Sequence, residues 1–215
     1  MHCRGCHRSN FIFTRSEEIE NMAVVIAVVG SGGKTTRIHQ LAEQYRNERK
    51  KVLVTTTTHM YREEGCILSG NAEEIIDKLF SCGYCMAGLL EEKDPRKVKG
   101  LPQDVYEEIC KHADVVLVEA DGSKGMPVKF PAEHEPVIPD NVNEIHIVQG
   151  LCAVGKPLKE VCHRIELVKE CLGVSEDTIM TEKYLTILLQ KGYIKPLKKK
   201  YPKVILNIWL NNYKQ

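Results

Sequence analysis

The sequence predicts an α/β fold in which helices cover both faces of a doubly wound, mostly parallel β-sheet. Two apolar runs, at residues 22–29 and 114–119, are rich in valine and lack regular polar alternation, which is typical of buried parallel strands. Residues 35–49, directly after the first run, carry apolar side chains at helical spacing on one face. Strand and helix patterns keep alternating along the chain, and this alternation implies right-handed crossovers between parallel strands.

The other elements follow from local patterns. Asn71 precedes a helical pattern as an N-cap, and Glu74 lies where it can complete a capping box. Six lysines within residues 191–203 are interpreted as a solvated surface. We expect further strands at residues 51–57, 145–148 and 204–210, and helices at 71–80, 102–112 and within 158–190.

Length and composition indicate one globular domain. The chain has 215 residues, 43% of them hydrophobic and 27% charged, and a net charge of +1, so neither nucleic acid nor an anionic membrane is expected as its main partner. Residues 1–15 contain no apolar core of the length that a signal peptide needs, and the longest apolar run, at residues 22–29, is far too short to span a membrane. We therefore expect a cytoplasmic protein, with a loosely ordered extension at residues 1–21 and a single domain at residues 22–215.

A glycine-rich stretch after the first strand predicts a phosphate-binding loop. It consists of Gly30, Ser31, Gly32, Gly33, Lys34, Thr35 and Thr36. The pattern G-x-x-G-K-T is a shortened form of G-x-x-x-x-G-K-[ST], with Val28 at the usual first glycine position. The alternative is a glycine turn with an accidental lysine. Because a strand precedes the stretch and a helix follows it, we expect a P-loop NTPase-like domain that binds ATP or GTP.

Each part of this stretch has a role in binding a nucleotide. Glycines let several backbone N–H groups surround one phosphate, and the following helix directs its positive end to the same place. Lys34 can reach the terminal phosphates, and the Thr35 hydroxyl can hold Mg²⁺.

Two carboxylates at the end of a second buried strand predict a magnesium site. Glu119 and Asp121 end the D-V-V-L-V-E-A-D segment, and the carboxyl edge of a parallel sheet is where ligands bind in such folds. Mg²⁺ prefers hard oxygen ligands, direct or through water. Solvated loop charges are the alternative, and the pattern does not decide which carboxylate approaches the ion. The threonines at 55–58 end a strand at the same edge. Their hydroxyls can bind phosphate, water or metal. The alternative is that threonines occur here because they favour β-strands.

The segment from Asp121 to Pro139 is too rich in proline and glycine to be a crossover helix, and a loop of this length is usually functional or mobile. Lys124 and Lys129 can neutralise a transferred phosphate or hold an anionic substrate, and His134 can transfer a proton. The alternatives are solvated lysines and a structural histidine. We expect the catalytic residues to be Lys34, Glu119, Asp121 and Lys124, and the metal ligands to be Thr35, Glu119 and Asp121.

The nine cysteines are interpreted as reduced thiols. Cys3 and Cys6 form one C-x-x-C pair and Cys82 and Cys85 a second, so a four-thiolate zinc site is an alternative.

Several segments resemble the YqeC family. The specific one is the block E-A-D-G-S-K-G…H-E-P-V-I-P at residues 119–139, accompanied by G-S-G-G-K-T-T, L-V-T-T-T-T-H-M, K-V-K-G-L-P and V-G-K-P-L. The resemblance covers residues 22–207 and implies a nucleotide-binding accessory protein that matures a selenium-dependent molybdenum hydroxylase. Family members carry an N-K-x-D-like element after the last strand, whereas this chain keeps only Asn207, so we expect a truncated or altered carboxyl end.

Three functions are compatible with these patterns. The first is an NTP-binding and NTP-hydrolysing maturation factor whose partners are the nucleotide and the hydroxylase or its cofactor. The second is an ATP-dependent kinase or Mur-like ligase acting on a small acidic substrate, since the shortened glycine loop, the threonine run and the strand-terminal glutamate resemble Mur-type ligases. The third is a scaffold for a hydroxylase partner that binds nucleotide without hydrolysing it.

Overall fold

The computed structural model describes residues 22–212. The predictions on the extension at residues 1–21, including the Cys3–Cys6 pair, lie outside the described residues. Within 22–212, none of the helices combines the length and the apolar character that crossing a membrane requires.

The described chain alternates strands and helices, with one 3₁₀ turn at Leu151–Ala153 and one π-helical segment at Gln190–Ile194. In chain order the elements are β1 (Val24–Ser31), α1 (Lys34–Asn47), β2 (Val52–Thr56), β3 (His59–Tyr61), α2 (Ala72–Cys82), β4 (Tyr84–Met86), β5 (Leu89–Leu90), β6 (Lys97–Lys99), α3 (Gln103–Cys110), β7 (Val115–Glu119), β8 (Val128–Lys129), β9 (Glu144–Gly150), α4 (Leu158–Val161), β10 (Cys162–His163), α5 (Ile165–Leu172), α6 (Glu182–Leu189), α7 (Lys195–Lys200) and β11 (Ile205–Asn211).

A six-stranded sheet in the order β11-β9-β1-β7-β2-β4 forms the centre of the fold. Every neighbouring pair is parallel, which confirms the predicted α/β class with a mostly parallel sheet. The sequence patterns did not predict β4 or a small antiparallel sheet of β3, β6 and β5. These strands have only two or three residues each, too few for a period-2 pattern to emerge.

Helices pack on both faces of the central sheet because successive residues of its strands point to opposite sides. On one face, Ile38 and Leu41 of α1 pack against the even-numbered residues of β1. On the other face, Ile75 and Leu79 of α2 and Ile109 of α3 pack against the odd-numbered residues. The central strands are therefore apolar on both sides, as their valine-rich sequences require.

A third apolar cluster joins β8 and β10 to helices α4, α5 and α6. Val128, Leu158 and Val168 are fully buried within it. The helical zone predicted at 158–190 is therefore three helices. Arg164 and Gly173, both with left-handed backbone, stand at the two ends of α5 and separate it from its neighbours.

The predicted cap of α2 is confirmed, with one difference. The Asn71 side chain accepts hydrogen bonds from the backbone N–H groups of Glu73 and Glu74. Glu74 does not bond back to Asn71 directly. Instead the Ser69 hydroxyl donates to Glu74 and accepts from the Asn71 N–H, so a serine completes the box.

The lysine-rich segment near the carboxyl end is helical as far as Lys200, and all six lysines within residues 191–203 are exposed, as predicted. Tyr193 and Leu197 of the same segment are buried against the central sheet. The segment thus presents a lysine-rich surface to solvent and an apolar side to the core.

Candidate functional site

The glycine loop connects the end of β1 to the start of α1, at the carboxyl edge of the sheet. Gly30, Gly32 and Gly33 have φ values of 89°, 72° and 138°, a region that side chains rarely adopt. A Cβ on Gly30 would lie 2.1 Å from the Val148 carbonyl oxygen of β9. This close approach allows no other residue at position 30 without displacing β9.

Lys34, the first residue of α1, folds its side chain back over the loop. Its ammonium donates to the Gly30 carbonyl oxygen at 3.0 Å and to the Ser123 hydroxyl at 3.4 Å, and it lies 3.8 Å from a Glu119 carboxylate oxygen. The side chain is only 6% exposed. The Thr35 and Thr36 residues that follow are exposed. The loop therefore combines a buried cation with accessible hydroxyl groups.

Glu119 is the last residue of β7 and stands beside the glycine loop, because β7 pairs with β1 in the register Val28–Glu119. Burial raises the pKa of its carboxyl group, an effect that the nearby Lys34 partly opposes. Lys34 is the only side chain within ion-pairing distance of this carboxylate among residues 22–212.

Asp121, in contrast, is fully buried and uses both carboxylate oxygens within the protein. One oxygen accepts from the Gly30 N–H at 3.1 Å and from the Tyr193 hydroxyl at 2.6 Å. The other pairs with the Lys129 ammonium. Of the two predicted carboxylates, Glu119 therefore has more capacity to accept an ion, while Asp121 holds the loop to Lys129 and Tyr193. Their roles as metal ligands and catalytic residues remain predictions.

Lys129 links Asp121 to a second charged pair. Its ammonium lies 2.9 Å from Glu135 and donates to the Gly122 carbonyl oxygen at 2.6 Å. Glu135 also accepts two hydrogen bonds from Arg164, at 2.8 and 3.1 Å. Burial opposes the charge on Glu135, but the bonds from Arg164, the Ala132 N–H and Lys129 outweigh it and lower the pKa of Glu135 to about 2.

The two lysines nominated in this loop have different environments. Lys124 is exposed and has a φ of 50°, whereas Lys129 is 1% exposed. His134 is exposed as well. Ser123, one residue before Lys124, is buried against the Lys34 ammonium.

The threonines ending β2 support the same edge of the sheet. The Thr56 hydroxyl donates to the Glu119 carbonyl oxygen at 2.7 Å, and that of Thr57 donates to the Val137 carbonyl oxygen. The Thr55 hydroxyl is buried without a hydrogen-bond partner among residues 22–212.

The last strand reaches the glycine loop through a residue that no sequence pattern predicted. Asn211 donates from its side-chain amide to the Gly32 carbonyl oxygen at 2.8 Å. Asn207 bonds instead to Glu144 and His146, and lines a groove of about 380 Å³ between α1 and β11. Tyr193, Arg164 and Asn211 were all missed, because each lies far along the chain from the residue it contacts and no local pattern marks it.

The cysteines of the second C-x-x-C pair differ in exposure, Cys82 being exposed and Cys85 buried. Burial raises the pKa of Cys85 to about 12. Within residues 22–212 there is no group of three or more histidine, cysteine or acidic side chains that could hold a metal ion.

A family model described as YqeC protein matches residues 26–166, a range that includes the glycine loop, both carboxylates and the Asp121–Pro139 segment. The chain belongs to the YqeC family. It is also 32% identical, over 178 residues, to a YqeC protein of Escherichia coli (strain K12) that is described as uncharacterized. That match covers 77% of this chain and 67% of the relative. The match to the family model ends at residue 166, so Tyr193 and Asn211 lie beyond that match.

Proposed function

We propose that this chain binds ATP or GTP with Mg²⁺ in the glycine loop, hydrolyses it, and acts as an accessory protein in the maturation of a selenium-dependent molybdenum hydroxylase. The position of Lys34 carries the nucleotide part of the proposal. Its buried ammonium is held at the loop by the Gly30 carbonyl oxygen and the Ser123 hydroxyl. A buried cation beside glycine N–H groups at a helix start is suited to a phosphate group.

The oxygen groups around Lys34 fit Mg²⁺. Thr35 offers an exposed hydroxyl, and Glu119 offers a carboxylate whose one ion pair among residues 22–212 is with Lys34. These are hard oxygen donors, and Mg²⁺ binds through few protein ligands together with phosphates and water. Thr35 and Glu119 would hold the ion, which neutralises charge on the phosphates. Asp121 would position the glycine loop without contacting the ion, since it accepts a hydrogen bond from the Gly30 N–H and pairs with Lys129.

The role in hydroxylase maturation is supported by membership in the YqeC family and by the resemblance of residues 119–139 to that family. An accessory protein of this kind would use nucleotide binding to change the shape of a loop. The Asp121–Pro139 segment is placed for this, since Ser123 contacts Lys34 and Asp121 contacts Gly30.

Calorimetric titration of ATP and GTP, each with Mg²⁺, tests the nucleotide site. We expect affinity of about 1 μM for one of the two nucleotides in the natural chain, and a loss of about a hundredfold in Lys34→Ala. Lys50→Ala, which removes an exposed lysine after α1, is the matched control and should bind normally. Absence of binding to both nucleotides would reject the proposed site.

Product analysis separates hydrolysis from the two alternatives. Phosphate release without a modified substrate supports the maturation factor, and phosphorylation or ligation of a small acid supports the kinase or ligase. Tight binding without turnover, even with the hydroxylase present, supports a scaffold.

The accessory role is tested by measuring hydroxylase activity in cells that lack this protein and are then given either the natural form or Lys34→Ala. Equal restoration by both would show that the glycine loop does not serve maturation.

A further inference from the structure

His163 lies in β10 with an unsatisfied ring nitrogen. Its Nδ1 is buried and has no hydrogen-bond partner among residues 22–212. β10 pairs with β8 in parallel, with His163 opposite Lys129. Residues opposite each other in a parallel pair project to the same side. Because the Lys129 side chain reaches Asp121 and Gly122, His163 faces the start of the Asp121–Pro139 segment.

The strand β8 places His163 close to the glycine loop. The Ser31 hydroxyl donates to the carbonyl oxygen of Pro127, the residue just before β8, at 3.1 Å. A Cβ on Gly32 would lie 2.8 Å from the same oxygen. The glycine loop therefore contacts the start of β8, and β8 pairs with β10, so only β8 lies between His163 and the loop.

The surroundings of His163 have an excess of positive charge. Lys129, Arg164 and Lys124 all act on it, against a single carboxylate, Glu135. Burial, followed by these three cations, lowers the pKa of His163. Lys129 and Arg164 are paired with Glu135, whereas Lys124 has no ion pair among residues 22–212. Thus the segment that contacts Lys34 itself carries an exposed cation, Lys124, and the unsatisfied His163 faces this segment.

We propose that Lys124 and His163 bind a second, small oxyanion, a phosphate or a carboxylate, beside the nucleotide site. This inference rests on the proposed function only in that the glycine loop is taken to hold the nucleotide. An anion supplies what the site lacks: it accepts a hydrogen bond from protonated His163 and balances the charge of Lys124. Binding therefore takes up a proton on His163.

The test is calorimetric titration of inorganic phosphate and, separately, succinate, with and without MgADP. The natural chain should bind at least one of them with a Kd of about 1 mM or tighter in the presence of MgADP. Lys124→Asn and His163→Gln should each weaken this binding by about tenfold. Asparagine tolerates the positive φ at position 124, so this variant removes charge without adding strain.

Arg49→Asn is the matched control. Arg49 is exposed, has a φ of 62° and lies after the far end of α1, so the change has the same chemistry at a distant place. It should leave anion binding unchanged.

NMR provides a second readout. The ring resonances of His163 should shift toward those of the protonated form when the anion is added near neutral pH, and this shift should be absent in Lys124→Asn.

Three results would overturn the proposal. The natural chain fails to bind either anion, the two variants bind as the natural chain does, or they lose MgADP binding together with anion binding. The last result would assign both residues to the nucleotide site itself.

Anion binding in Lys34→Ala separates this proposal from the proposed function. If anion binding persists while MgADP binding is lost, the second site exists independently of the nucleotide. If the natural chain binds the anion but no nucleotide, only the proposed function fails.

Discussion

At the residue scale, the buried contacts of Asp121 determine how firmly the glycine loop is held. Tyr193→Phe removes a hydroxyl that donates to this carboxylate at 2.6 Å, with both groups fully buried. Burial and the Asp121 charge raise the pKa of Tyr193 well above its usual range, so the hydroxyl stays protonated and donates. We expect a loss of about 1.5–3 kcal/mol in unfolding free energy, because the bond goes to a charged group.

Urea denaturation measures this loss, and Tyr106→Phe provides the comparison. The Tyr106 hydroxyl donates to the neutral Asn141 side chain at 3.0 Å, so its removal should cost less, about 0.5–1.5 kcal/mol. Equal losses in the two variants would show that the Asp121 charge adds nothing to the bond.

Lys129 and Lys124 allow a second contrast between single residues. Lys129→Met leaves Asp121 buried without its cation, which should cost about 3–5 kcal/mol of unfolding free energy. Lys124→Met removes an exposed charge and should change stability by less than about 0.5 kcal/mol. Thermal or urea unfolding distinguishes the two, and a mild effect of Lys129→Met would mean that the Gly30 N–H and the Tyr193 hydroxyl are enough to stabilise the buried Asp121 side chain.

At the scale of an element, the last strand supports the glycine loop from the side. β11 pairs with β9 along its whole length, so that Asn211 meets the Gly32 carbonyl oxygen. We expect Asn211→Ala to make hydrogen exchange of the loop amides faster and to weaken nucleotide binding by up to about tenfold, as for one lost hydrogen bond.

Asn207→Ala is the control for this strand. Its side chain bonds to Glu144 and His146, and it lies four residues before Asn211 on the same strand. The change should lower stability while loop exchange and nucleotide affinity stay the same. If both variants loosen the loop equally, the effect comes from the strand as a whole and not from the Asn211 contact.

At the scale of the whole molecule, the sequence predicts what local periodicity encodes and little beyond it. The valine-rich runs of β1 and β7 and the glycine loop between strand and helix have strong local patterns, and the structure contains them. The short strands of the antiparallel sheet have none. No local pattern predicts that Lys129 is buried while Lys124 is exposed, since the burial of Lys129 depends on the fold bringing Asp121 and Glu135 together around it. Tyr193 reaches Asp121 across 72 positions of the chain.

The same tertiary burial gives the whole molecule a pH-dependent stability. His146 is 4% exposed on β9, between Arg37 of α1, Glu144 of its own strand and Asn207 of β11. Burial lowers the pKa of His146, and the charge of Arg37 adds to this, although Glu144 opposes it. The unfolded chain therefore binds a proton at a higher pH than the folded chain does. Unfolding free energy should fall as the pH drops from about 7 to 5.

His146→Gln should make this decline shallower, because glutamine does not titrate. Urea denaturation at several pH values measures the slope, and His134→Gln, which replaces an exposed histidine, is the control that should leave it unchanged. His163, whose pKa is also lowered, should keep part of the slope in His146→Gln. A slope unaffected by His146→Gln would mean that His146 titrates alike in the folded and unfolded chains, and that the groove between α1 and β11 is open enough to solvate its charge.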